Sequence, residues 1–423
     1  MPITQRRSKN RASLIIIGGG ASGLAAACVA SDAGIETLLI EKEERVGRKL
    51  LATGNGRCNL MNFGEPAYWG DSAFARSVLS SCGAEQAARF FEDLGLVIRR
   101  EADGRAYPAA GQAACVLDCL RSKLGGSPHV QVLTGCLVRS IRRLEDGFLI
   151  ITREGETYEA DRIIVSAGGP AAPKLGGSGS LTSELTTLGH RLVPFRPALS
   201  ALVCDTAPVK GLSGLRVPAC LTLYRERESV SATAGELLFT DYGLSGVCAM
   251  QLSRDAGVGL AEGLEMSVSV DFSALAGLSE PLMRRMKLSE LDGKAAYQAM
   301  MTLLKQREEN LGAGRLYTGL LPRLMAQKVQ TLPLSSAAQW LTALRLRVTG
   351  VKGFEAAQVS SGGLSCGDFD PYTLQSSLVP GLYVTGETLN VDGDCGGYNL
   401  LFAWATGLLA ARHIASAARK GRP

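Results

Sequence analysis

The feature of the sequence that most constrains its fold is a short apolar run followed by closely spaced glycines. The run is Leu14–Ile17, the glycines are Gly18, Gly20 and Gly23, and an alanine-rich segment, Leu24–Ala33, comes next. A buried strand, a tight glycine turn and a helix packed close against the strand would produce this order of residues. The pattern therefore predicts a β–turn–α unit whose backbone can approach a ligand closely.

The same stretch also has the composition of an export signal, because four basic residues precede the apolar run. These are Arg6, Arg7, Lys9 and Arg11. A dinucleotide-binding unit makes a further demand, a second apolar strand that ends in an acidic residue about 20 residues after the glycines. Thr37–Ile40 and Glu41 meet this demand. We therefore interpret the opening segment as a cofactor cradle that follows a loose, solvated basic tail.

Each glycine of this cradle has a predicted role. Gly18 takes a backbone angle that a side chain would forbid, Gly20 lets the main chain approach a pyrophosphate, and Gly23 lets the helix touch the strand. The free N–H groups at the start of the helix would hold the negative charge of the pyrophosphate. Glu41 favours a ribose with free hydroxyl groups over a 2′-phosphate, so FAD and NAD fit this unit equally well.

Composition narrows the class of protein. A chain of 423 residues, 46% apolar and 20% charged, can bury a large core and should form two or three domains. The net charge of +5 and the low aromatic content argue against a nucleic-acid partner. The apolar stretch Leu400–Ala411 has about half of the roughly 20 residues that a membrane span needs. Eleven cysteines without CxxC or Cys/His ligand spacing predict reduced thiols, no metal site and a cytoplasmic location.

A polar segment, "EERVGRKLLATGNGRCNLMN", follows soon after Glu41 and has neither strand nor helix periodicity. We expect it to run as a loop over a flat, partly polar ring system. Arg48 and Lys49 would then meet phosphates, while Gly54 and Gly56 would let the backbone lie close to the ring. The alternative is a surface loop that is rich in turn residues.

Two later strands end in small residues that suit a nucleotide. Ile163–Val165 leads to the turn Ala167-Gly168-Gly169, and Leu382–Val384 leads to Gly386-Glu387. A strand that ends in glycine and an acid suits a ribityl chain. Two further glycines then open a helix near Asn399, and its N-terminus suits the electron-rich pyrimidine side of a flavin.

Nucleotide-binding segments at both ends of the chain imply one domain with an insertion. Residues 192–275 alternate apolar and polar positions between glycine and proline turns, which predicts a barrel-like β domain or a sandwich. Residues 276–349 have helical spacing and predict a small helical subdomain. The predicted fold class is α/β, with a discontinuous Rossmann-like domain over residues 12–191 and 350–423. No second GxGxxG follows another strand, so the sequence predicts no dedicated nicotinamide domain.

Four segments resemble those of a known family: "GRKLLATGNGRCNLMN", "FTDYGLSG", "VSSGGLSCGDFDP" and "GETLNVDGDCGGYNLLFAWATG". They are similar to hallmark segments of the BaiN/RdsA-type (YhiN-like) NAD(P)/FAD-dependent oxidoreductases, some of which are called aminoacetone-oxidase-like FAD-binding enzymes. The resemblance covers essentially the whole chain. It implies bound FAD in a discontinuous FAD-binding domain, an inserted β domain and a small helical piece. Asp241, Val247 and Cys395 stand where many members have His, Pro and Thr, so no role of that His is transferred.

The residue patterns and the family resemblance together imply FAD contacts in the glycine turn, the end of the second strand, the polar loop, two later strand ends and the last helix. They are Gly18, Gly20, Ala21, Ser22, Gly23, Glu41, Lys42, Arg48, Lys49, Gly54, Asn55, Gly56, Arg57, Cys58, Asn59, Ala167, Gly168, Gly386, Glu387, Gly397, Tyr398, Asn399 and Leu400.

The flavin itself would perform the hydride chemistry, so the sequence predicts an FAD-dependent oxidoreductase with non-covalently bound cofactor. We expect NAD(P)H as electron donor and a small or steroid-like enone as substrate. Oxidation of a small amine, or a flavin-bound redox sensor or binding protein with little turnover, are the alternatives. Candidate acid–base residues are Asp241, Tyr242 and Tyr398. The three histidines, His129, His190 and His413, are predicted to be caps or surface residues.

Overall fold

The structure is a computed structural model that describes residues 10–276 and 293–420. The predicted basic tail up to Lys9 lies outside the described residues, as do residues 277–292 of the predicted helical subdomain. The chain divides into two compact units. The sheet unit consists of Met1–Arg196 and Val359–Pro423, and the barrel unit is Pro197–Gln358.

The strands in chain order are β1 (Arg11–Ile17), β2 (Thr37–Ile40), β3 (Met61–Asn62), β4 (Tyr68–Gly70), β5 (Ile98–Arg100), β6 (Arg105–Pro108), β7 (Val130–Leu133), β8 (Val138–Leu144), β9 (Gly147–Thr152), β10 (Thr157–Val165), β11 (Leu192–Ala198), β12 (Leu202–Cys204), β13 (Arg216–Arg225), β14 (Glu228–Thr240), β15 (Gly243–Ser245), β16 (Met266–Asp271), β17 (Leu344–Val351), β18 (Val359–Leu364), β19 (Leu382–Val384) and β20 (Val391–Gly393).

The α-helices of the described residues, in chain order, are α1 (Ala21–Asp32), α2 (Arg48–Ala52), α3 (Ser72–Ser81), α4 (Ala84–Asp93), α5 (Ala113–Gly125), α6 (Thr182–Thr187), α7 (Val247–Gln251), α8 (Ser253–Ala261), α9 (Gly293–Leu311), α10 (Arg323–Val329), α11 (Leu334–Ala343) and α12 (Tyr398–Lys420).

The sheet unit is built on a seven-stranded sheet in the order β7–β2–β1–β10–β9–β8, with β19 also paired to β10. Strands β1, β2, β7, β10 and β19 run parallel, while β8 and β9 are antiparallel. Leu14–Ile17 is fully apolar and buried, as expected of a strand covered on both faces. The register sets Ile17 beside Ile40 and Val165, and Val165 beside Val384. Four parallel strands therefore end at one level.

Two helices pack closely on one another beside this sheet. A Cβ added to Gly407 of α12 would lie 2.2 Å from the carbonyl oxygen of Ser22 in α1, so the glycine permits the contact. Trp404 is fully buried and donates its indole N–H to the carbonyl of Leu60 at 2.9 Å. By length and hydropathy, Tyr398–Arg419 could cross a membrane, yet 67% of its most apolar 18-residue stretch is buried within the protein. It packs as a core helix.

The barrel unit contains a closed barrel in the order β12–β15–β14–β13–β16–β17. Burial alternates along β16, where Met266, Val268 and Val270 point into the core; this is the period of two expected for a strand with one buried face. The closed barrel confirms the predicted barrel-like β domain.

The predicted division of the insertion differs from the structure. The boundary at residue 350 falls inside β17, which closes the barrel by pairing with β12 and β16. Met300 and Leu304 of α9 and Leu341 of α11 belong to the same hydrophobic core as the barrel strands. The helices after residue 292 therefore share the core of the barrel. β11, predicted to start the insertion, pairs with β18.

The prediction of an irregular loop after Glu41 was wrong. The segment contains α2, a 3₁₀ turn over Thr53–Gly56 and β3. Each element is too short to produce a period that sequence analysis can detect. The helix predicted near Asn399 begins one residue earlier, at Tyr398.

Candidate cofactor-binding site

The ends of four parallel strands form one edge of the main sheet, and the residues that follow them lie side by side. The N–H of Gly18 donates to Ile40 (2.8 Å), that of Ser166 to Ile17 (2.8 Å), and that of Thr385 to Val165 (3.0 Å). The carboxyl end of a parallel sheet is where such folds bind ligands. Both glycine turns and both acid-bearing strand ends predicted from the sequence meet at this edge.

The first turn shows why glycine is needed at two of its positions. Gly18 has φ +108°, and a Cβ there would lie 2.4 Å from the carbonyl oxygen of Ser166. A Cβ on Gly23 would lie 1.9 Å from the carbonyl oxygen of Gly18. Gly20 differs, since a Cβ there would meet no described atom within 4 Å. Gly18 and Gly23 are therefore required by packing, and Gly20 faces open space.

Helix α1 begins at this open position. The N–H of Leu24 donates to the carbonyl of Gly20 at 3.0 Å, so the N–H groups of Ala21, Ser22 and Gly23 precede the first i→i−4 hydrogen bond. Such groups attract anions. The turn thus combines free donors with room for a phosphate.

Glu41 is buried at the end of β2, where two backbone groups hold its carboxylate. Its Oε2 accepts the N–H of Gly19 at 2.6 Å, and its Oε1 accepts the N–H of Glu43 at 2.8 Å. Each carboxylate oxygen has two lone-pair positions, so both keep capacity to accept a hydroxyl. The neighbouring Lys42 places its Nζ 3.7 Å from Oε1 of Glu43.

Lys49 and Arg48, predicted to meet phosphates, both lie in α2 and make ion pairs within the protein. Lys49 Nζ is 2.9 Å from Oε2 of Glu387, whose Oε1 accepts the N–H of Ser360 at 2.7 Å. The Arg48 guanidinium pairs with Glu43. The Lys49–Glu387 pair joins the polar segment to the strand end of β19, two regions predicted separately.

Sequence reasoning missed a group of hydroxyl side chains at the same edge. Ser166 Oγ and Thr385 Oγ1 are 2.8 Å apart, and Thr388 Oγ1 accepts the N–H of Gly168 at 3.0 Å. Thr406 Oγ1 accepts the N–H of Gly386 at 3.0 Å. Ser166 and Thr385 each follow a strand directly, and that position is the signal that could have found them.

The turn between α2 and β3 is conformationally unusual. Asn55 and Cys58 both lie in the left-handed region, with φ +54° and +55°. The predicted Gly54 and Gly56 also have positive φ. Burial raises the pKa of the Cys58 thiol to about 12, so this cysteine is neutral and is not a thiolate nucleophile at neutral pH. The Arg57 guanidinium stacks 4.5 Å from the ring centre of Tyr107.

The start of α12 lies against β3. Gly397 has φ +101°, and a Cβ there would lie 2.6 Å from the carbonyl carbon of Met61. The N–H of Leu401 donates to Gly397 at 3.0 Å, so only earlier N–H groups, those of Tyr398, Asn399 and Leu400, precede the helical hydrogen bonds. The Asn399 side chain bonds back to its own loop, accepting the N–H of Gly393 at 2.8 Å and donating to its carbonyl at 2.7 Å.

The residues present fit a flavin dinucleotide. Space beside Gly20 and Gly168, where an added Cβ would meet no described atom within 4 Å, leaves backbone exposed to a ligand. The starts of α1 and α12 supply N–H donors for anionic or carbonyl oxygens. Asn59 Oδ1 is buried against Gly397 and has no hydrogen-bond partner among the described residues.

The three acid–base candidates fall in different units. Tyr398 lies at the start of α12, where its carbonyl accepts the hydroxyl of Tyr68 at 2.8 Å and burial raises the pKa of its phenol. Asp241 and Tyr242 belong to the turn between β14 and β15 of the barrel unit. Asp241 is exposed, and Lys352 Nζ lies 4.0 Å from the ring centre of Tyr242. Over residues 10–276 and 293–420, no cluster of three metal-ligating side chains occurs.

Comparison with known proteins agrees with this geometry. The chain is 39% identical over 415 residues to the 3-dehydro-bile acid delta(4,6)-reductase of Clostridium scindens, which covers 95% of this chain and 98% of the reductase. It is 26% identical over 418 residues to the ribosomal RNA dihydrouridine synthase of Escherichia coli, with 96% and 99% covered. Its fold is similar to that of the 3-ketosteroid delta1-dehydrogenase of Sterolibacterium denitrificans, with a TM-score of 0.51, 13% identity and 97% and 100% covered.

The Rossmann-type sheet, the glycine turn and these relatives define the class: an FAD-dependent oxidoreductase with a nucleotide-binding domain interrupted by an insertion. More narrowly, residues 12–413 match the model of the HI0933-like protein Rossmann domain, and the chain belongs to that family. The resemblance seen in the sequence motifs is thereby confirmed.

Proposed function

We propose that the protein holds FAD non-covalently and uses NAD(P)H to reduce a carbon–carbon double bond conjugated to a carbonyl in a small, steroid-like enone. The observation that carries this proposal is the 39% identity, over nearly the full length of both chains, to a reductase of 3-dehydro-bile acids. Bound FAD would accept a hydride from a donor and deliver it to an activated double bond. The net reaction consumes one NAD(P)H and one proton and converts C=C into CH–CH.

The names of the bile-acid reductase and of the dihydrouridine synthase both describe the reduction of a carbon–carbon double bond. A 3-dehydro-bile acid with delta(4,6) double bonds has its alkenes conjugated to a ketone, and uridine has a C=C conjugated to a ring carbonyl. The higher identity to the bile-acid enzyme favours a small-molecule enone over RNA. The mild net charge of +5 supports the same choice.

The chain's own residues would bind and orient the cofactor. The start of α1 and the backbone around Gly20 would hold the pyrophosphate, and Glu41 would accept hydrogen bonds from ribose hydroxyls. The start of α12 would hold the pyrimidine end of the ring system. Glu387, fixed by Lys49 and Ser360, would lie beside the linking chain.

We also propose a cytoplasmic location and a small-molecule substrate without a nucleic-acid or membrane partner. All eleven cysteines are free thiols, as expected in a reducing compartment where NAD(P)H is available. The alternatives are oxidation of a small amine and a redox sensor with little turnover.

Anaerobic stopped-flow spectroscopy of the purified holoprotein tests these readings. NADH or NADPH should bleach the flavin absorbance, and a 3-oxo-4-ene or 3-oxo-4,6-diene steroid should restore it, with the saturated product identified by mass spectrometry.

Three results would contradict the enone reductase. Bleaching by aminoacetone and reoxidation by dioxygen with release of hydrogen peroxide would identify an amine oxidase. Reoxidation by uridine-containing ribosomal RNA, but not by steroids, would identify an RNA-directed reductase. No reduction by either nicotinamide would favour a sensor or binding protein.

A further inference from the structure

Two arginines of the sheet unit are equally exposed but differ in how their hydrogen-bond donors are used. The side chains of Arg57 and Arg100 are each 48% exposed, and each guanidinium stacks on an aromatic ring. Arg100 lies 3.7 Å from the ring centre of Phe63 and donates to both carboxylate oxygens of Glu85, at 2.8 and 2.9 Å. The donors of Arg100 are therefore paired within the protein.

The Arg57 guanidinium is held in place without such bonds. It stacks 4.5 Å from the ring centre of Tyr107, whose side chain is buried. Its Nη2 lies 3.5 Å from Oε1 of Glu101, which makes an ion pair but no hydrogen bond. Within the described part of the chain, the side-chain N–H groups of Arg57 donate to no acceptor. A guanidinium has five such donors, and stacking fixes the plane in which they point.

A second arginine lies against the same carboxylate. Arg99 Nη2 is 3.6 Å from the same Oε1 of Glu101, and the Arg99 side chain is 50% exposed. Arg99 and Arg100 are adjacent on β5, so their side chains project to opposite faces of the strand. Two exposed guanidinium groups thus share one carboxylate oxygen and leave a net positive charge. Exposed ion pairs of this kind contribute little to stability, so another anion can displace Glu101.

The small sheet that carries these residues borders the start of α12. β6, which contains Tyr107, pairs with both β3 and β5. A Cβ on Gly397 would lie 2.6 Å from the carbonyl carbon of Met61 in β3. Asn62, also in β3, donates to the carbonyl of Gly396 at 2.8 Å. The arginines therefore lie in the same unit as the proposed cofactor site, on a sheet that contacts one end of it, and solvent reaches them.

We propose that Arg57 and Arg99 form a binding site for a carboxylate of the substrate, the arginine site, and that the Glu101 carboxylate competes for it. A substrate carboxylate takes the place of Glu101 and accepts charge-assisted hydrogen bonds from the free donors of the stacked Arg57. The inference rests on the proposed enone reductase and narrows its substrates to enones that carry an acidic group. Both arginines determine specificity and take no part in hydride transfer.

A pair of ligands that differ only in charge tests this site. The probes are a 3-oxo-4-ene steroid with a side-chain carboxylate and the methyl ester of the same compound. Calorimetric titration of each into the purified full-length protein, without nicotinamide, measures the two affinities. Wild type should bind the acid at least about tenfold more tightly than the ester, and Arg57→Met should bind both about equally. The same acid-to-ester ratio in both proteins, or equal binding of acid and ester by wild type, would overturn the proposal.

Arg100 and Glu101 provide two matched variants. Arg100→Met removes an arginine of the same exposure and stacking whose donors are already paired, so it should keep the wild-type ratio. Glu101→Gln removes the competing charge, so it should strengthen binding of the acid by about threefold or more and leave binding of the ester unchanged. A purely structural ion pair would change neither affinity. The wild-type and Glu101→Gln titrations decide the question even if Arg57→Met does not fold.

Other occupants of the arginine site give different results. Weaker FAD binding by Arg57→Met, with an unchanged acid-to-ester ratio, would place Arg57 at the cofactor and overturn the proposal. Weaker binding of NADPH but not of NADH, again with an unchanged ratio, would assign the site to the 2′-phosphate of the nucleotide. Because the titrations need no turnover, charge-dependent binding without enone reduction would contradict the proposed function alone. Reduction of acid and ester with equal KM would contradict the arginine site alone.

Discussion

Individual glycines of the site differ in what they contribute, and the space around each shows the difference. Gly18 combines a positive φ with a neighbour that leaves no room for a Cβ, whereas Gly20 has negative φ and open surroundings. Gly18 is needed for the fold of the apoprotein. Gly20 is needed only if a ligand approaches the backbone, as the sequence pattern predicts.

Gly20→Ala and Gly18→Ala should therefore separate folding from binding. The free energy of unfolding of Gly20→Ala should lie within about 0.5 kcal/mol of the wild-type value, since surface changes without lost contacts cost little. The variant should nevertheless bind FAD more weakly, because the methyl group enters the space proposed for the pyrophosphate. Gly18→Ala should lose roughly 2 kcal/mol or more of stability from strain and overlap. Urea denaturation of the apoprotein and FAD titration measure the two effects. Wild-type FAD affinity in Gly20→Ala would show that the pyrophosphate lies elsewhere.

Glu41→Ala should weaken FAD binding by about 1–3 kcal/mol, the value of a hydrogen bond to a charged group. The structure adds a second effect, because the variant also leaves the N–H groups of Gly19 and Glu43 without their acceptor. Calorimetric titration with FAD and thermal unfolding of the apoprotein measure both. Glu159→Gln, an exposed change on β10, is the control. Unchanged FAD affinity in Glu41→Ala would mean that this carboxylate does not meet the ribose.

At the scale of elements, a buried histidine connects helix α6 to the turn that precedes β19. His190 Nδ1 donates to the carbonyl of Leu185 at 3.0 Å, and its Nε2 accepts the hydroxyl of Ser376 at 2.8 Å. The Ser376 oxygen in turn accepts the N–H of Val379 at 2.9 Å. The ring also stacks on Phe369. Of the two predicted roles, the cap is confirmed, since Nδ1 bonds to a carbonyl in the last turn of α6. The surface role was wrong, because the side chain is buried and joins two elements.

Acid should destabilise this connection. Burial lowers the pKa of His190 in the folded protein, so the unfolded chain binds the proton more readily. The stability it provides is complete above the unfolded pKa near 6.5 and falls as the pH drops below that value, by up to about 1.4 kcal/mol per pH unit. His190→Gln cannot gain this charge, so its urea midpoint should vary less between pH 5 and 7 (a range of roughly two units). His129→Gln, at the surface, is the control, and equal pH slopes in wild type and His190→Gln would refute the assignment.

At the scale of the whole molecule, the sheet unit assembles its site from both ends of the chain. The Lys49–Glu387 pair joins residues 338 positions apart, and Trp404 bonds to Leu60 across 344 positions. The site is therefore complete only when both segments of the sheet unit have folded together. Ligand binding should in consequence stabilise the native state of the full chain.

FAD should raise the unfolding free energy of the full-length protein by about 2.7 kcal/mol at a concentration one hundred times its dissociation constant. Thermal unfolding with and without added FAD measures this gain. Acid precipitation should release all flavin into the supernatant, because the proposed contacts are hydrogen bonds and packing without a covalent link. Yellow colour that remains in the pellet would show a covalent link, and an unchanged melting temperature would show that FAD does not bind the folded chain.

The sequence by itself determined the features that depend on neighbouring residues. The strand, glycine turn and helix from Leu14 onward, the acid at position 41 and the strand Leu382–Val384 all follow from local periodicity and backbone freedom, which a short stretch of sequence contains. The tertiary structure decided what depends on distant partners. The Lys49–Glu387 ion pair, the unpaired oxygen of Asn59 beside Gly397, and the closure of the barrel by β17 join segments far apart in the chain. No local pattern encodes such contacts, because they arise only when the packing of the sheet brings those backbones together.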